Sequence, residues 1–181
     1  MNEEITFLLF LVVISTGLVK GTCPSTCSCS SGSSGSNVNC YSKNLGHIPD
    51  LPSDTYIIDL SYISNNQISA IPVNTFVDCE LLQTIYLHNN KISAIEPFTF
   101  MNLHNLRYLS VYNNKIRSLE SNMFINMTNL TQLYLHYNKI RLLESYAFIN
   151  MTNLYYINLS GNNISHIEEN AFGNLTSLST L

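Results

Sequence analysis

From Asn66 onward the chain repeats its apolar and polar positions at a fixed interval of 24 residues. Phe76, Phe100, Phe124, Phe148 and Phe172 keep that interval. So do Ile68, Ile92, Ile116, Ile140 and Ile164, and so do Asn66, Asn90, Asn114, Asn138 and Asn162. A chain holds one period this strictly when each period is one structural rung stacked on the next. The unit reads LxxLxLxxNxIxx(I/L)xxxxFxx(L/M)xx and is cleanest from Leu130 to Asn153. Counting from its first leucine, apolar residues at positions one, four, six, eleven, fourteen, nineteen and twenty-two point inward. The LxL element is a short strand, and such strands stack in parallel about 4.7–4.9 Å apart. Side chains alternate along a strand, so positions three, five and seven face solvent, with eight just beyond.

The asparagine at position nine has a separate reason. The chain leaves the strand there, and a buried carboxamide offers two donors and a carbonyl to the unpaired backbone of neighbouring turns. Stacked, these asparagines form a ladder. The first rung is irregular. Placing Ile58 and Leu60 at positions four and six requires Ile63-Ser64-Asn65 as an insertion beside Asn66, a bulged rung of 27 residues. Cys79 stands at position twenty-two, where its equivalents are Leu103, Met127, Met151 and Leu175. A small buried thiol fits that slot; pairing with an upstream cysteine is the alternative.

Ahead of the repeats the pattern changes. Ile5 to Val19 is an apolar run at the extreme N-terminus, short for a membrane span, which needs about 20 residues. It reads as a secretory signal peptide over 1–21, although Glu3 and Glu4 precede it where basic residues are usual. An uncleaved anchor is the other reading. Residues 22–54 form a cysteine-rich segment with a Gly/Ser loop, Ser30 to Ser36. Five repeats of 24–27 residues fill 55–177, and 178–181 begin a sixth that stops mid-strand.

Cys23, Cys27, Cys29 and Cys40 cluster directly after the signal, which reads as a disulfide framework in an exported protein. Four cysteines allow three pairings, and spacing alone does not choose. Zinc is disfavoured because C-x3-C-x-C-x10-C departs from paired C-x2-C knuckles.

These residues resemble a known family. CPSTCSCSSGSSGSNVNCYSKNLGHIPDLP is similar to the cysteine-rich N-terminal cap of extracellular leucine-rich repeat proteins, and the 24-residue unit with Phe at position nineteen is their repeat type. Cap and rungs most resemble the variable lymphocyte receptors of jawless vertebrates and related chordate repeat proteins. The resemblance implies an α/β solenoid: a horseshoe with a parallel concave sheet and an irregular or 3-10 convex side. It also implies the pairs Cys23–Cys29 and Cys27–Cys40, and ligand binding by concave residues.

The exposed strand columns are the expected binding face. They hold Tyr86, His88, Tyr108, Tyr112, Tyr134, His136, Tyr137, Tyr156 and Asn158, with Thr84, Ser110, Gln132 and Ser160 among them. Tyrosine gives a large amphipathic contact at low entropy cost, and Ser and Asn give adaptable hydrogen bonds, as in antibody paratopes. Seven of the eleven tyrosines lie on this face or at its edge, which strand propensity alone does not explain. Lys91, Lys115 and Lys139 recur at position ten and Glu96, Glu120, Glu144 and Glu168 at position fifteen. They read as solvated rims, where exposed pairs contribute about 0–1 kcal/mol.

Composition narrows the partners. The net charge is −4 with no basic run, so nucleic acid is not expected. No Asp follows Asp78, so the rungs lack the usual partner for a histidine base, and His88 and His136 stand two rungs apart, too far for one metal. Neither enzyme, metal nor cofactor is expected. Sequons at Asn126, Asn129, Asn150, Asn158, Asn163 and Asn174 are candidate glycan sites. The expected function is a secreted or cell-surface recognition module, a receptor or immune-type ectodomain binding protein or glycan. A matrix or adhesion protein is the alternative, and membrane attachment would depend on sequence outside this chain.

Overall fold

The computed structural model describes residues 22–61, 66–121, 123–124 and 127–181. The apolar leader, the inserted Ile63-Ser64-Asn65 and the sequon asparagine Asn126 lie outside the described residues.

The N-terminal elements are β1 (Ser28–Gly32), β2 (Gly35–Asn39) and β3 (Thr55–Asp59). The rungs then alternate two strand types in chain order: β4 (Ala70–Ile71), β5 (Thr84–Tyr86), β6 (Ala94–Ile95), β7 (Tyr108–Ser110), β8 (Ser118–Leu119), β9 (Gln132–Tyr134), β10 (Leu142–Leu143), β11 (Tyr156–Asn158) and β12 (His166–Ile167). One sheet of seven strands runs β1-β2-β3-β5-β7-β9-β11. Within it β1 and β2 form an antiparallel hairpin, and every later pair is parallel. The register is the 24-residue period itself: Ile85 opposite Leu109, Leu109 opposite Leu133, Leu133 opposite Ile157. Thr180 adds a parallel bridge to Tyr156. Ile58 lies opposite Ile85, so Ile58 holds position four, and three more residues separate it from Asn66 than separate Ile85 from Asn90.

The opposite side takes the irregular of the two expected forms. No helix or 3-10 turn occurs among the described residues. That side carries the two-residue strands β4–β6 and β8–β10–β12, in small parallel sheets. The reason is where the backbone finds partners. In a rung this short, positions ten to fifteen run extended, one rung spacing from their equivalents. Their groups therefore pair between rungs, as in Lys139 N to Ile116 O and Glu144 N to Leu119 O, rather than within a rung.

The core is the stack of inward positions. Ile58, Ile85, Leu109, Leu133 and Ile157 are fully buried, as are Leu60, Leu87, Val111 and Leu135. Each such side chain stabilises the fold by about 1.5–3 kcal/mol. The phenylalanines at position nineteen stack face to face with centroids 5.7, 6.0, 5.8 and 5.2 Å apart from Phe76 to Phe172. Burial thins in the fifth rung, where Ile167 is 52 % exposed.

The asparagine ladder is present. Asn138 Nδ2 donates to Val111 O and Leu135 O at 3.0 and 2.9 Å, and its Oδ1 accepts from Ile116 N at 3.1 Å. Asn114 and Asn162 repeat this pattern. Asn90 keeps the donor half, but its Oδ1 is buried without a partner, at the step onto the bulged first rung.

The glutamates at position fifteen form a second ladder. Glu96 accepts from Val73 N, Glu144 from Ser121 N, and Glu168 from Ser145 N and Oγ, each reaching back one rung. The Ser145 backbone and hydroxyl bonds hold the Glu168 carboxyl below its ordinary range. Pro97 occupies the equivalent place on the second rung and has no N–H to offer Glu120.

Cys23 pairs with Cys29 and Cys27 with Cys40, the pairing that the resemblance implied. Val38 and Cys40 are fully buried, so the hairpin continues the core at the sheet's first edge. Cys79 is a free core thiol, pushed up to about 11 by burial and then by Asp78. At that value it stays protonated and unreactive.

Candidate functional site

Strand alternation puts the polar and aromatic columns on one face of the large sheet. The strands β5, β7, β9 and β11 are only three residues long, but parallel pairing at constant register brings equivalent residues within stacking distance. The result is two interlocked aromatic rows. In the first, Tyr86, Tyr108, Tyr134 and Tyr156 alternate between positions five and three, with centroids 5.2, 5.1 and 5.0 Å apart. In the second, His88, Tyr112 and His136 stack almost flat, 4.5 and 4.4 Å apart with planes tilted by only 8° and 12°. Edge-on contacts of Tyr86 with His88 and of Tyr134 with His136 tie the rows together.

Polar atoms complete the lattice. Tyr134 donates its hydroxyl to Gln132 Oε1 at 2.9 Å, and Gln132 Nε2 donates to the Tyr155 hydroxyl at 2.5 Å. Ser110 Oγ lies 3.2 Å from His88 Nδ1. That serine is fully buried by its larger neighbours, so it supports the face rather than presenting itself on it. At the ends of the position-five column, Asp59 accepts from Ser61 N and Oγ, and Asn158 accepts in the same way from Ser160. Asn158 Nδ2 also reaches the Tyr156 hydroxyl at 3.4 Å.

The electrostatics follow from partial burial beneath neighbouring rings. Burial lowers His88 below its ordinary 6.5, with His136 adding to the effect against an opposing pull from Asp59. Burial alone lowers His136, whose Nδ1 is enclosed without a partner. Both imidazoles are neutral near pH 7. Burial, then the Tyr134 and Tyr86 hydroxyls, push Tyr108 up to about 12, and burial raises Tyr134. The face is therefore aromatic and uncharged from Tyr86 to Tyr156. Among the described residues no three His, Cys, Asp or Glu side chains are grouped to hold a metal.

Position eight carries a feature that strand alternation does not reveal. Its backbone is left-handed in every described rung: Asn89, Asn113, Tyr137 and Gly161 have φ of 57°, 52°, 53° and 64°. Asn and Gly tolerate that region, but a tyrosine there is an outlier. The Tyr137 ring lies over Gly161, where a Cβ would meet its Cδ1 at 2.5 Å, and packs edge-on to His136 at 5.3 Å. It remains 63 % exposed. The signal in the sequence was the Asn-Asn-Tyr-Gly column itself.

All nine expected face residues thus share one surface. The described sequon residues scatter. Asn129, Asn150, Asn163 and Asn174 are exposed away from the aromatic lattice, whereas Asn158 is half-buried inside it. Asn129 Nδ2 donates to His104 O at 2.6 Å, and Asn174 Nδ2 to Asn150 Oδ1 at 3.2 Å.

Comparison with known proteins agrees with this architecture. The family model described as Leucine rich repeat matches residues 62–111, 80–140 and 128–181, well over half of the chain. The chain belongs to the leucine-rich repeat family, whose members are protein-interaction modules. It is 40 % identical over 80 residues to leucine-rich repeat-containing protein 3 of Danio rerio, covering 44 % of this chain and 29 % of that protein. It is 44 % identical over 64 residues to leucine-rich repeat-containing protein 3B of Homo sapiens, covering 35 % and 23 %. With leucine-rich repeat-containing protein 4C of Homo sapiens it shares 39 % over 74 residues, covering 40 % and 11 %. The chain spans less than a third of the length of each of these relatives. Among the described residues no helix is long and apolar enough to cross a membrane. The two disulfides fit an oxidising, extracellular space.

Proposed function

We propose that this chain is an exported recognition module, a receptor or immune-type ectodomain, that binds a protein ligand through the aromatic face of its large sheet. The observation that carries this reading is the continuous lattice of eight rings from Tyr86 to Tyr156, held in place by its own stacking before any ligand arrives. Prior order lowers the entropy cost of binding. Tyr137 adds to it: its ring packs edge-on to His136 and stays 63 % exposed, so it extends the lattice toward solvent.

The lattice also favours protein over glycan. Sugar rings dock on open aromatic faces. Here both faces of Tyr112 are covered by His88 and His136, and the tyrosine row is tilted ring on ring. What remains toward solvent is ring edges, hydroxyls and amides, which suit a peptide surface. The resemblance to variable lymphocyte receptors points the same way. A matrix or adhesion protein would use the same face and differ in the partner it meets. We read Asn158 as part of the face, since its carboxamide is engaged at both ends and a glycan there would cover the lattice.

The test is a screen of the disulfide-bonded chain, as a bivalent fusion, against arrayed extracellular protein domains and a glycan array. For a protein hit, Tyr112→Ala and Tyr137→Asn are expected to weaken binding by about 2 kcal/mol or more, the usual size of an aromatic hot spot. Tyr146, exposed on the opposite side at φ 63°, supplies the control: Tyr146→Asn keeps the backbone conformation and is expected to leave affinity unchanged. Equal loss from Tyr146→Asn, or hits confined to the glycan array, would overturn the reading.

A further inference from the structure

Two tripeptides, Lys115-Ile116-Arg117 and Lys139-Ile140-Arg141, occupy positions ten to twelve of adjacent rungs. Each isoleucine is buried and each flanking cation is exposed, so both basic side chains of a rung leave on the same side. The rungs are joined there by Lys139 N to Ile116 O and Arg141 N to Arg117 O, both 2.9 Å. Four cations therefore form a two-by-two grid, about 4.8 Å apart between rungs and about 6.5 Å along each rung. Arg117, Lys139 and Arg141 line an open recess of about 380 Å³. Lys91 continues the lysine column, donating to Gln67 Oε1 at 3.0 Å.

Among the described residues no ion pair neutralises this grid. In the glutamate column three positions further on, Glu144 accepts from Ser121 and Glu168 from Ser145, while Glu120, in the rung of Lys115 and Arg117, is exposed and makes no ion pair with them. The chain as a whole is acidic at −4, and these four side chains are half of its eight Lys and Arg residues. The sequence hides the cluster because its members stand 24 residues apart.

We infer that this grid is a second binding site, for a sulfated polysaccharide lying along the solenoid axis. With Lys91 the lysine column spans three rungs along that axis, which suits a linear polymer carrying anions at short intervals. Guanidinium groups recognise sulfate through paired N–H donors. The serines that flank the arginines, Ser93 and Ser165, donate their hydroxyls to Ser69 O and Arg141 O, both at 3.3 Å, and keep lone pairs that can accept from sugar hydroxyls. No aromatic residue stands at these columns to stack nucleobases, and no apolar side chain is exposed in them to enter a bilayer. Lys139 stands two residues beyond Tyr137, so the grid adjoins the edge of the aromatic lattice.

The test uses the full disulfide-bonded chain and four defined probes: a heparin oligosaccharide, its desulfated form, phosphatidylserine vesicles and a single-stranded DNA oligonucleotide. The triple variant Arg117→Ser/Lys139→Gln/Arg141→Ser installs the serine that neighbouring rungs use at position twelve and creates no glycan sequon. Circular dichroism and a thermal melt check its fold, and Arg117→Gln/Arg141→Gln, with nearly the same side-chain bulk, serves if it unfolds. Heparin is expected to bind with an affinity that falls as salt rises, the desulfated form not to bind, and the variant to lose at least about tenfold. Lys43→Ala, outside the grid, is expected to bind as the parent does. A folded variant that binds heparin undiminished would overturn the proposal. So would equal binding of the desulfated probe, or tighter binding of vesicles or DNA than of heparin.

Discussion

The same repeat builds two aromatic stacks, and they differ in one respect. On the inside, position nineteen is Phe in every rung, and five rings lie nearly parallel from Phe76 to Phe172. On the outside, positions three, five and seven change from rung to rung: Tyr, Ser, Tyr and Asn at five, and His, Tyr, His and Ser at seven. Both stacks have the spacing that the backbone imposes. Only the inner one must be chemically uniform, because a substitution there leaves a void that neighbouring rungs cannot fill. The outer stack is free to vary, so its composition reports on what it touches rather than on how the rungs hold together.

Removing one ring from each stack tests that difference at its largest. Phe148 is fully buried and contacts Phe124 and Phe172. Phe148→Ala is expected to cost about 3–5 kcal/mol in chemical denaturation. Tyr112 also sits between two rings, but on the solvent side, and Tyr112→Ala is expected to cost about 1 kcal/mol. Comparable losses would mean that the outer stack is structural, and the recognition reading would lose its main support.

The asparagine ladder lies between the two stacks and carries the next largest effect. Asn138→Ala removes two donated bonds and an accepted one from buried backbone groups, at an expected cost of about 1–3 kcal/mol. Asn90→Ala is expected to cost about 1 kcal/mol less, because the Asn90 carbonyl has no partner to lose. Equal costs at the two positions would show that the irregular first rung leaves the ladder intact.

The inner stack and the asparagine ladder were legible in the sequence because uniformity is itself a signal. The outward placement of the tyrosines and histidines at positions three, five and seven was legible too, through strand alternation. What escaped was chemistry set between rungs. The glutamates at position fifteen read as a solvated rim, since nothing local shows that each carboxylate reaches back to the preceding rung's backbone. Which of the two expected far sides forms, irregular rather than 3-10, was set there too: partners for the backbone of positions ten to fifteen come from an adjacent rung, about 24 residues away. Ser110 read as exposed from its strand position, yet larger side chains of adjacent rungs close over it. Position eight needed a backbone angle that alternation does not supply.

The outer stack, unlike the inner one, contains titratable rings, so acid should separate the two. His88 and His136 are both held below 6.5 by burial. A group lowered in the folded state leaves stability at its full value above the unfolded pKa. It removes stability as pH falls from about 6.5 through the folded value, because the unfolded chain then binds protons more readily. The thermal midpoint is expected to drop between pH 7.5 and pH 5. His136→Gln should reduce the drop, and a drop of unchanged size would assign the acid sensitivity to other groups.

The smallest effect compares two rings held in left-handed backbone. Phe98, 43 % exposed on the far side, has φ 63°, where other rungs place Asn74 and Asn170. Tyr137 has φ 53°, where other rungs place Asn89, Asn113 and Gly161. A bulky residue in this region costs about 1 kcal/mol more than asparagine, which bonds locally to its own backbone. Phe98→Asn is therefore expected to raise stability by about 0.5–1 kcal/mol without touching ligand binding. Tyr137→Asn gains the same relief but gives up the ring's contact with His136, worth about 0.5–1.5 kcal/mol, so its stability should change little. Its affinity should nevertheless fall. Denaturation and binding measured on the same two variants decide the matter: a Tyr137→Asn chain that keeps both its stability and its ligand would leave the strained tyrosine without a function on this face.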